Sequence, residues 1–106
     1  MDPVISDINI SDVAVSTAGR DQGELYYCVG GDNRFVLLAN GKDRTLEKPK
    51  RKSRRHVQKV LRSETRVAEK LRSGDKVLNS ELRRDLAYLG KELQSTNLGG
   101  YTHIVP

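Results

Sequence analysis

The sequence predicts a mostly β chain with an α appendage: five short strands followed by two short C-terminal helices. Three observations predict it. Up to about residue 40 the chain alternates apolar and polar residues or runs β-forming ones together, the spacing of half-buried strands. Compact Gly/Asn/Asp turn signals separate those runs. Past Leu61 the apolar spacing changes to threes and fours, the period of a helix face.

VISDINI (4–10) and DVAVST (12–17) alternate and open the β region. AGRDQG then places Gly19 and Gly23 around three polar residues, a tight connection or a bulged strand end. ELYYCVG (24–30) is the second strand, rich in β-formers. GDN turns the chain, RFVLLAN (34–40) is the third strand, and NGK at 40–42 is another hairpin signal. RTLE (44–47) reads as a short fourth strand. Pro49 removes a ladder donor, which suits a strand end, and HVQKV (56–60) is the fifth. Strands this short, joined by turns this tight, point to a small barrel or a strongly bent sheet, since closure removes exposed edges. Val13, Val15, Tyr26, Cys28, Leu38 and either Phe35 or Val36 form its interior, the choice resting on register. Of the adjacent Tyr26 and Tyr27, one should point outward.

In SETRVAEKLRSG, Ser63 is a suitable N-cap, Val67 and Leu71 share a face, and Gly74 lies past the end. In DKVLNSELRRDLAYLGKEL, Asn79 or Ser80 caps and Glu81 suits the helix start. Leu82, Leu86, Leu89 and Leu93 form one apolar stripe. Gly90 weakens this helix by about 1 kcal/mol relative to Ala, a place for it to stop. The tail, residues 95–106, has turn formers without a period and is expected to be loosely held unless THIV adds a strand. The chain thus divides into a barrel at 1–60, a helical hairpin at 61–94 and a tail.

At 106 residues this is one domain or a small domain with an appendage. One Phe and no Trp leave the core to aliphatic residues. Cys28 is the single cysteine, so no internal disulfide forms, and with only His56 and His103 to join it a zinc set is not expected. No apolar run approaches the roughly 18 residues of a membrane span. The start, MDPVISDINISD, is acidic where a signal peptide would be basic and then apolar. A soluble, cytoplasmic protein is the expectation. No nucleophile–base pairing emerges, and GRDQG lacks the GK[ST] ending of a nucleotide-phosphate loop. Asp7, Asp12, Asp21 and Asp32 are scattered, as in solvated loops. Neither an enzyme nor a cofactor is called for.

The charge distribution is more informative. Net charge is +5, yet residues 1–41 hold 2 basic and 6 acidic side chains, residues 42–72 hold 13 and 4, and residues 73–106 hold 4 of each. The densest stretch, LEKPKRKSRRHVQKV (46–60), carries Lys48, Lys50, Arg51, Lys52, Arg54, Arg55 and Lys59 with no acid after Glu47. A field segregated in this way favours a polyanionic partner. Each cation placed on a phosphate releases condensed counterions. Arginine adds a planar fork, so Arg51, Arg54 and Arg55 can hold two phosphate oxygens or stack on a base, while the lysines act as point charges. His56 could stack or donate, or be a partly buried structural histidine.

DVAVSTAGRDQGELYYCVG followed by RFVLLANGKDRTLEKPKRK and RHVQK resembles the bacterial KOW-domain RNA-binding proteins, relatives of the KOW-containing proteins of the large ribosomal subunit. The resemblance covers roughly residues 10–60. The KOW strand–loop–strand element falls on Val13 and Val15, the loop Ser16 to Gly23, and Leu25 to Val29. It implies an SH3-like β-barrel that binds RNA, with ribosomal RNA the default partner and the ribosome or its proteins as neighbours. Arg20, in the loop, would then lie beside the basic run, and Gly19 and Gly23 would let loop amides approach phosphates. The aromatic count is too low for a multi-aromatic stacking platform, which favours backbone and shape recognition of structured RNA.

A protein-binding adaptor is the alternative, since a barrel of this kind does not fix function and the leucine stripe could dock a partner helix. Likeness to NusG-type transcription factors, which also carry a KOW domain, adds duplex DNA as a third partner to test.

Overall fold

A computed structural model describes residues 7–97, with side chains through Gln94. Five strands form one antiparallel sheet: β1 (Asp12–Ser16), β2 (Leu25–Gly31), β3 (Phe35–Ala39), β4 (Lys50–Ser53) and β5 (Val57–Arg62), in the order β4-β3-β2-β1-β5. A 3-10 turn at Arg54–His56 links β4 to β5, and two helices follow, α1 (Arg66–Ser73) and α2 (Asn79–Asn97).

Both faces of the sheet are apolar, which is why β1 is buried along its whole length. Val13 pairs with Tyr27, and Ala14 with Tyr26, so successive residues supply opposite faces. The concave cluster holds Ile8, Ala14, Tyr26, Cys28, Val36, Leu38 and Val57. The convex cluster joins Val13, Tyr27 and Ala39 to Val67, Ala68, Leu82, Leu86 and Leu89 of the helices. The expected interior therefore divides in two. Val13 lies with the helices, Val36 rather than Phe35 faces inward, and Tyr26 and Tyr27 are both buried, neither pointing to solvent. Register shifts between Val13 and Ala14 on β1 and between Cys28 and Gly30 on β2 bend and twist those strands. The bend is strong. β4 lies three strands from β1, roughly 14 Å away in a flat sheet, yet Lys52 Nζ donates to the carbonyl of Ala18 at 2.9 Å.

Among the described residues the first strand begins only at Asp12, and one expected strand is absent. Residues 7–11 carry no strand, because Asp12 closes a turn there: its carboxylate accepts from the Asn9 N–H at 2.8 Å and its own N–H bonds the Asn9 carbonyl. RTLE is a loop. Asn40 Oδ1 accepts the N–H groups of Lys42 and Arg44, and Asn79 Oδ1 on α2 accepts that of Leu46. The donors a strand would use are already engaged, and the fourth strand begins six residues later, inside the basic run.

Helix α1 is capped by Thr65, whose Oγ1 accepts from the Ala68 N–H at 3.2 Å, not by Ser63. Ser63 is buried instead, 2.8 Å from the Tyr27 hydroxyl, which also meets the carboxylate of Asp85. A phenol has one proton. It goes to the carboxylate, so Ser63 donates to Tyr27. Thr65 donates to the same Asp85 oxygen at 2.9 Å. This network joins β2, the β5–α1 corner and α2, and with the leucine stripe it fixes both helices on the sheet. Helix α2 continues through Gly90, which sits against Leu25. At its other end the turn at Gly41 packs on α2 so closely that a Cβ there would lie 2.2 Å from the Asn79 carbonyl oxygen. Arg83 Nη1 donates to the Gly41 carbonyl at 2.7 Å. The 95–106 tail lies outside the described residues beyond the backbone of 95–97, as do His103 and THIV. Among the described residues no helix is long and apolar enough to cross a membrane.

Candidate nucleic-acid interface

The basic run becomes β4, the 3-10 turn and the start of β5, and each part orients its cations differently. In β4, Lys50 and Lys52 pair with Leu38 and Val36, while Arg51 and Ser53 pair with Leu37 and Phe35. The lysines therefore look into the concave side and Arg51 looks out. On the concave side the lysines meet Asp21, from the loop between β1 and β2. Asp21 Oδ1 accepts from Lys52 at 3.0 Å and from Ser16 Oγ at 2.9 Å; Oδ2 accepts from Tyr26 at 2.8 Å and lies 3.2 Å from Lys50. Burial alone would raise the Asp21 carboxyl. The donors Tyr26, Lys52, Ser16 and Lys50 outweigh it and hold Asp21 far below the usual carboxylate range. Burial, and then the same bond to Asp21, push the Tyr26 hydroxyl far above its ordinary value. Lys52 is only 10% exposed and Lys50 24%, so Lys50 is the more accessible of the pair.

That hub ties the loop to β4, and the loop contributes Arg20. Gly19 and Gly23 both take positive φ, +89° and +93°. The Gly23 N–H closes the hairpin on the Ser16 carbonyl at 2.8 Å, so this amide is not free for a phosphate. A Cβ on Gly19 would lie 3.6 Å from Lys52 Nζ, which sets Arg20, exposed and next in sequence, beside β4. Thr17 N–H bonds the His56 carbonyl at 2.9 Å, bringing the 3-10 turn to the same loop. Arg55 and His56 are exposed there, His56 included among the solvated residues and not the structural ones.

Arg51 lies over the Phe35 ring with Cζ 3.6 Å from the centroid. Arg54 is turned back on the protein: Nε donates to the Asp32 carbonyl at 2.8 Å and Nη1 to that of Ile8 at 3.0 Å. Asp32 accepts the N–H groups of Phe35 and Arg34, which hold its carboxyl below the usual range. Lys59, on β5, pairs with the buried Asp12 at 3.4 Å. Lys48 is exposed just before β4.

The nine predicted cationic or imidazole residues thus separate. Arg20, Arg55 and His56 are exposed around one loop–turn junction with Lys50 at its inner edge, Arg51 is exposed on the outward face of β4, and Lys48 is exposed just before that strand. Lys52 and Arg54 hold the structure together beside them, and Lys59 serves β1. Residues 17–23 and 50–56 together hold six Lys or Arg and one acid, so the junction keeps a surplus of positive charge after Asp21 is counted. Asp21 and Asp12 are ion-pair partners, not the solvated loop acids their spacing suggested. The signal for Asp21 lay in the lysines: Lys50 and Lys52 are two apart, which in a strand puts them on one side. The leucine stripe is buried in the convex core at Leu82, Leu86 and Leu89, and Leu93 is half-buried. No protein-family model and no curated protein matches this chain.

Proposed function

We propose that the protein binds structured RNA, with ribosomal RNA the first candidate, through the junction of the β1–β2 loop, β4 and the 3-10 turn. One observation carries the reading: one carboxylate, Asp21, is set between two lysines on the concave side, while Arg20 in the same loop, Arg55 in the 3-10 turn and Arg51 on the outward face of β4 remain exposed. An inert solvated surface gains nothing from so uneven a balance, whereas a phosphate backbone binds by it. The same strand order, with the last strand returning to the first, supports reading the bent sheet as an SH3-like barrel of the KOW type.

With Arg20, Lys48, Arg51 and Arg55 on phosphates, four counterion equivalents are released. The log–log salt slope should then be roughly −3 to −4, an affinity loss of about 50- to 150-fold between 50 and 200 mM salt. Filter binding with a structured RNA across that range tests it, with duplex DNA as competitor. A flat response, or no binding to RNA at low salt, refutes it. Capture of a protein that survives RNase and high salt would favour the adaptor reading instead.

A further inference from the structure

We infer that Arg51, laid on Phe35, is a stacking platform for one unpaired nucleobase of the bound RNA. The inference rests on the RNA-binding reading and deepens it, since it says which part of the RNA is read. Cζ of Arg51 stands 3.6 Å above the ring centroid. At that height the guanidinium lies nearly flat, because standing on edge would press its nitrogens into the ring carbons. One planar face is covered by Phe35; the residue as a whole is exposed, so the other face is open. Among the described residues the Arg51 side chain makes no hydrogen bond or ion pair, with the Asp32 carboxylate within its electrostatic reach, so its guanidinium N–H donors also remain available.

Such a guanidinium differs from an arginine free in solution. Its rotamer freedom is already reduced by the ring, so less is lost when a ligand docks. A base laid on the open face completes a ring–cation–ring stack, and the edge N–H groups can hold the adjoining phosphate. Bases inside an A-form duplex are not presented in this way, whereas those in bulges and loops can be splayed out onto arginine planes. The neighbouring cations, Arg55 and Arg20, have no ring beneath them among the described residues and serve backbone alone. The ligand is therefore a structured RNA with an unpaired base flanking a helical segment. This is one stacked base, which a chain with a single Phe and both core tyrosines buried can supply without a multi-aromatic surface.

Two hairpins test it, identical except that one carries a single bulged 2-aminopurine. The wild type should bind the bulged RNA about tenfold more tightly, within the range for one stacked base, and change the 2-aminopurine fluorescence. Arg51→Lys keeps the charge and removes the plane. It should lose the preference to about twofold or less, leave affinity for the plain hairpin within about twofold, and leave the salt slope unchanged. Phe35→Leu, checked for an unaltered circular dichroism spectrum, should weaken the preference in the same direction. If Arg51→Lys retains the full preference, or the wild type binds both hairpins alike with a steep salt slope, the stacking inference falls and the basic-surface reading stands. If the wild type binds neither, that reading falls and takes this one with it.

Discussion

Asp21→Asn is the sharpest probe of the structure, because it should move stability and RNA affinity in opposite directions. Asparagine keeps the shape and one acceptor oxygen. Whichever way it is turned, its amide nitrogen meets donors that the carboxylate accepted: Tyr26 and Lys50 on one side, Lys52 and Ser16 on the other. Two charge-assisted contacts are lost, each of order 1.5–3 kcal/mol, and the two lysines are left without their counter-charge. Lys50 is 24% exposed, so water recovers part of this. A net loss of about 2–4 kcal/mol follows, which leaves a domain of ordinary stability folded and lowers Tm by roughly 10–20 °C. The pH dependence has a definite sign. A carboxyl depressed in the folded state stabilises above its unfolded pKa, 3.8, and that contribution is lost as pH falls toward the folded value. The gap between wild type and variant should close as pH drops below 3.8. Meanwhile two released lysines should steepen the RNA salt slope by about 1.4–1.8. Thermal melts from pH 2.5 to 7 and a salt series on the same preparations supply both readouts. A Tm within about 2 °C of wild type at pH 7 would refute the hub; a lowered Tm with an unchanged slope would refute the placement of RNA beside it.

The remaining predictions concern how the helices and turns are held. Gly41→Ala should cost about 3 kcal/mol or more in urea denaturation, since a Cβ would collide with the Asn79 carbonyl at positive φ, whereas Gly23→Ala, with open space around it, should cost only about 1–2 kcal/mol. Equal losses would mean that the 40–47 loop is not seated on α2. Tyr27→Phe should destabilise by about 1–3 kcal/mol by taking a donor from Asp85 and an acceptor from Ser63. Burial, then the bond to Asp85, push the Tyr27 hydroxyl up to about 12 from 10. Its contribution is therefore whole below pH 10 and lost as pH rises toward 12, so wild type and Tyr27→Phe should converge across that window; a constant gap would show that the hydroxyl is not held in the network.

Strands β1, β2, β3 and β5 and both helices were legible because period and turn residues agree with tertiary packing there. The fourth strand was not. RTLE has the better β-forming residues, but Asn40, four residues before Arg44, and Asn79, on α2, take its backbone donors, and the second of these lies on too distant an element for local pattern to reveal. KRKS forms the strand instead, because the stems of Lys50 and Lys52 lie against the concave core and their ammonium groups reach Asp21; context of this sort overrides propensity. The same misplacement hid the separation of the basic run. Placed as a strand, residues 50–53 would have announced two lysines on one side and an arginine on the other. Arg54 gave no sign in sequence that its fork would be taken by the carbonyls of Asp32 and Ile8. The leucine stripe was legible as a stripe, but whether it met the sheet or a partner depended on the Tyr27–Asp85 contact, between residues 58 apart.

The two-sided sheet also constrains the order in which the molecule can be made. Its concave half needs only residues up to Val57, whereas the convex half waits for Leu82, Leu86 and Leu89. A nascent chain emerging N-terminus first therefore carries Val13, Tyr27 and Ala39 as an adhesive, uncovered surface until α2 has been made. Pairing of β1 with β5 closes a span from Val13 to Leu61, a separation that slows folding. The convex face that the first strands leave open is sealed only when α2 lands on it.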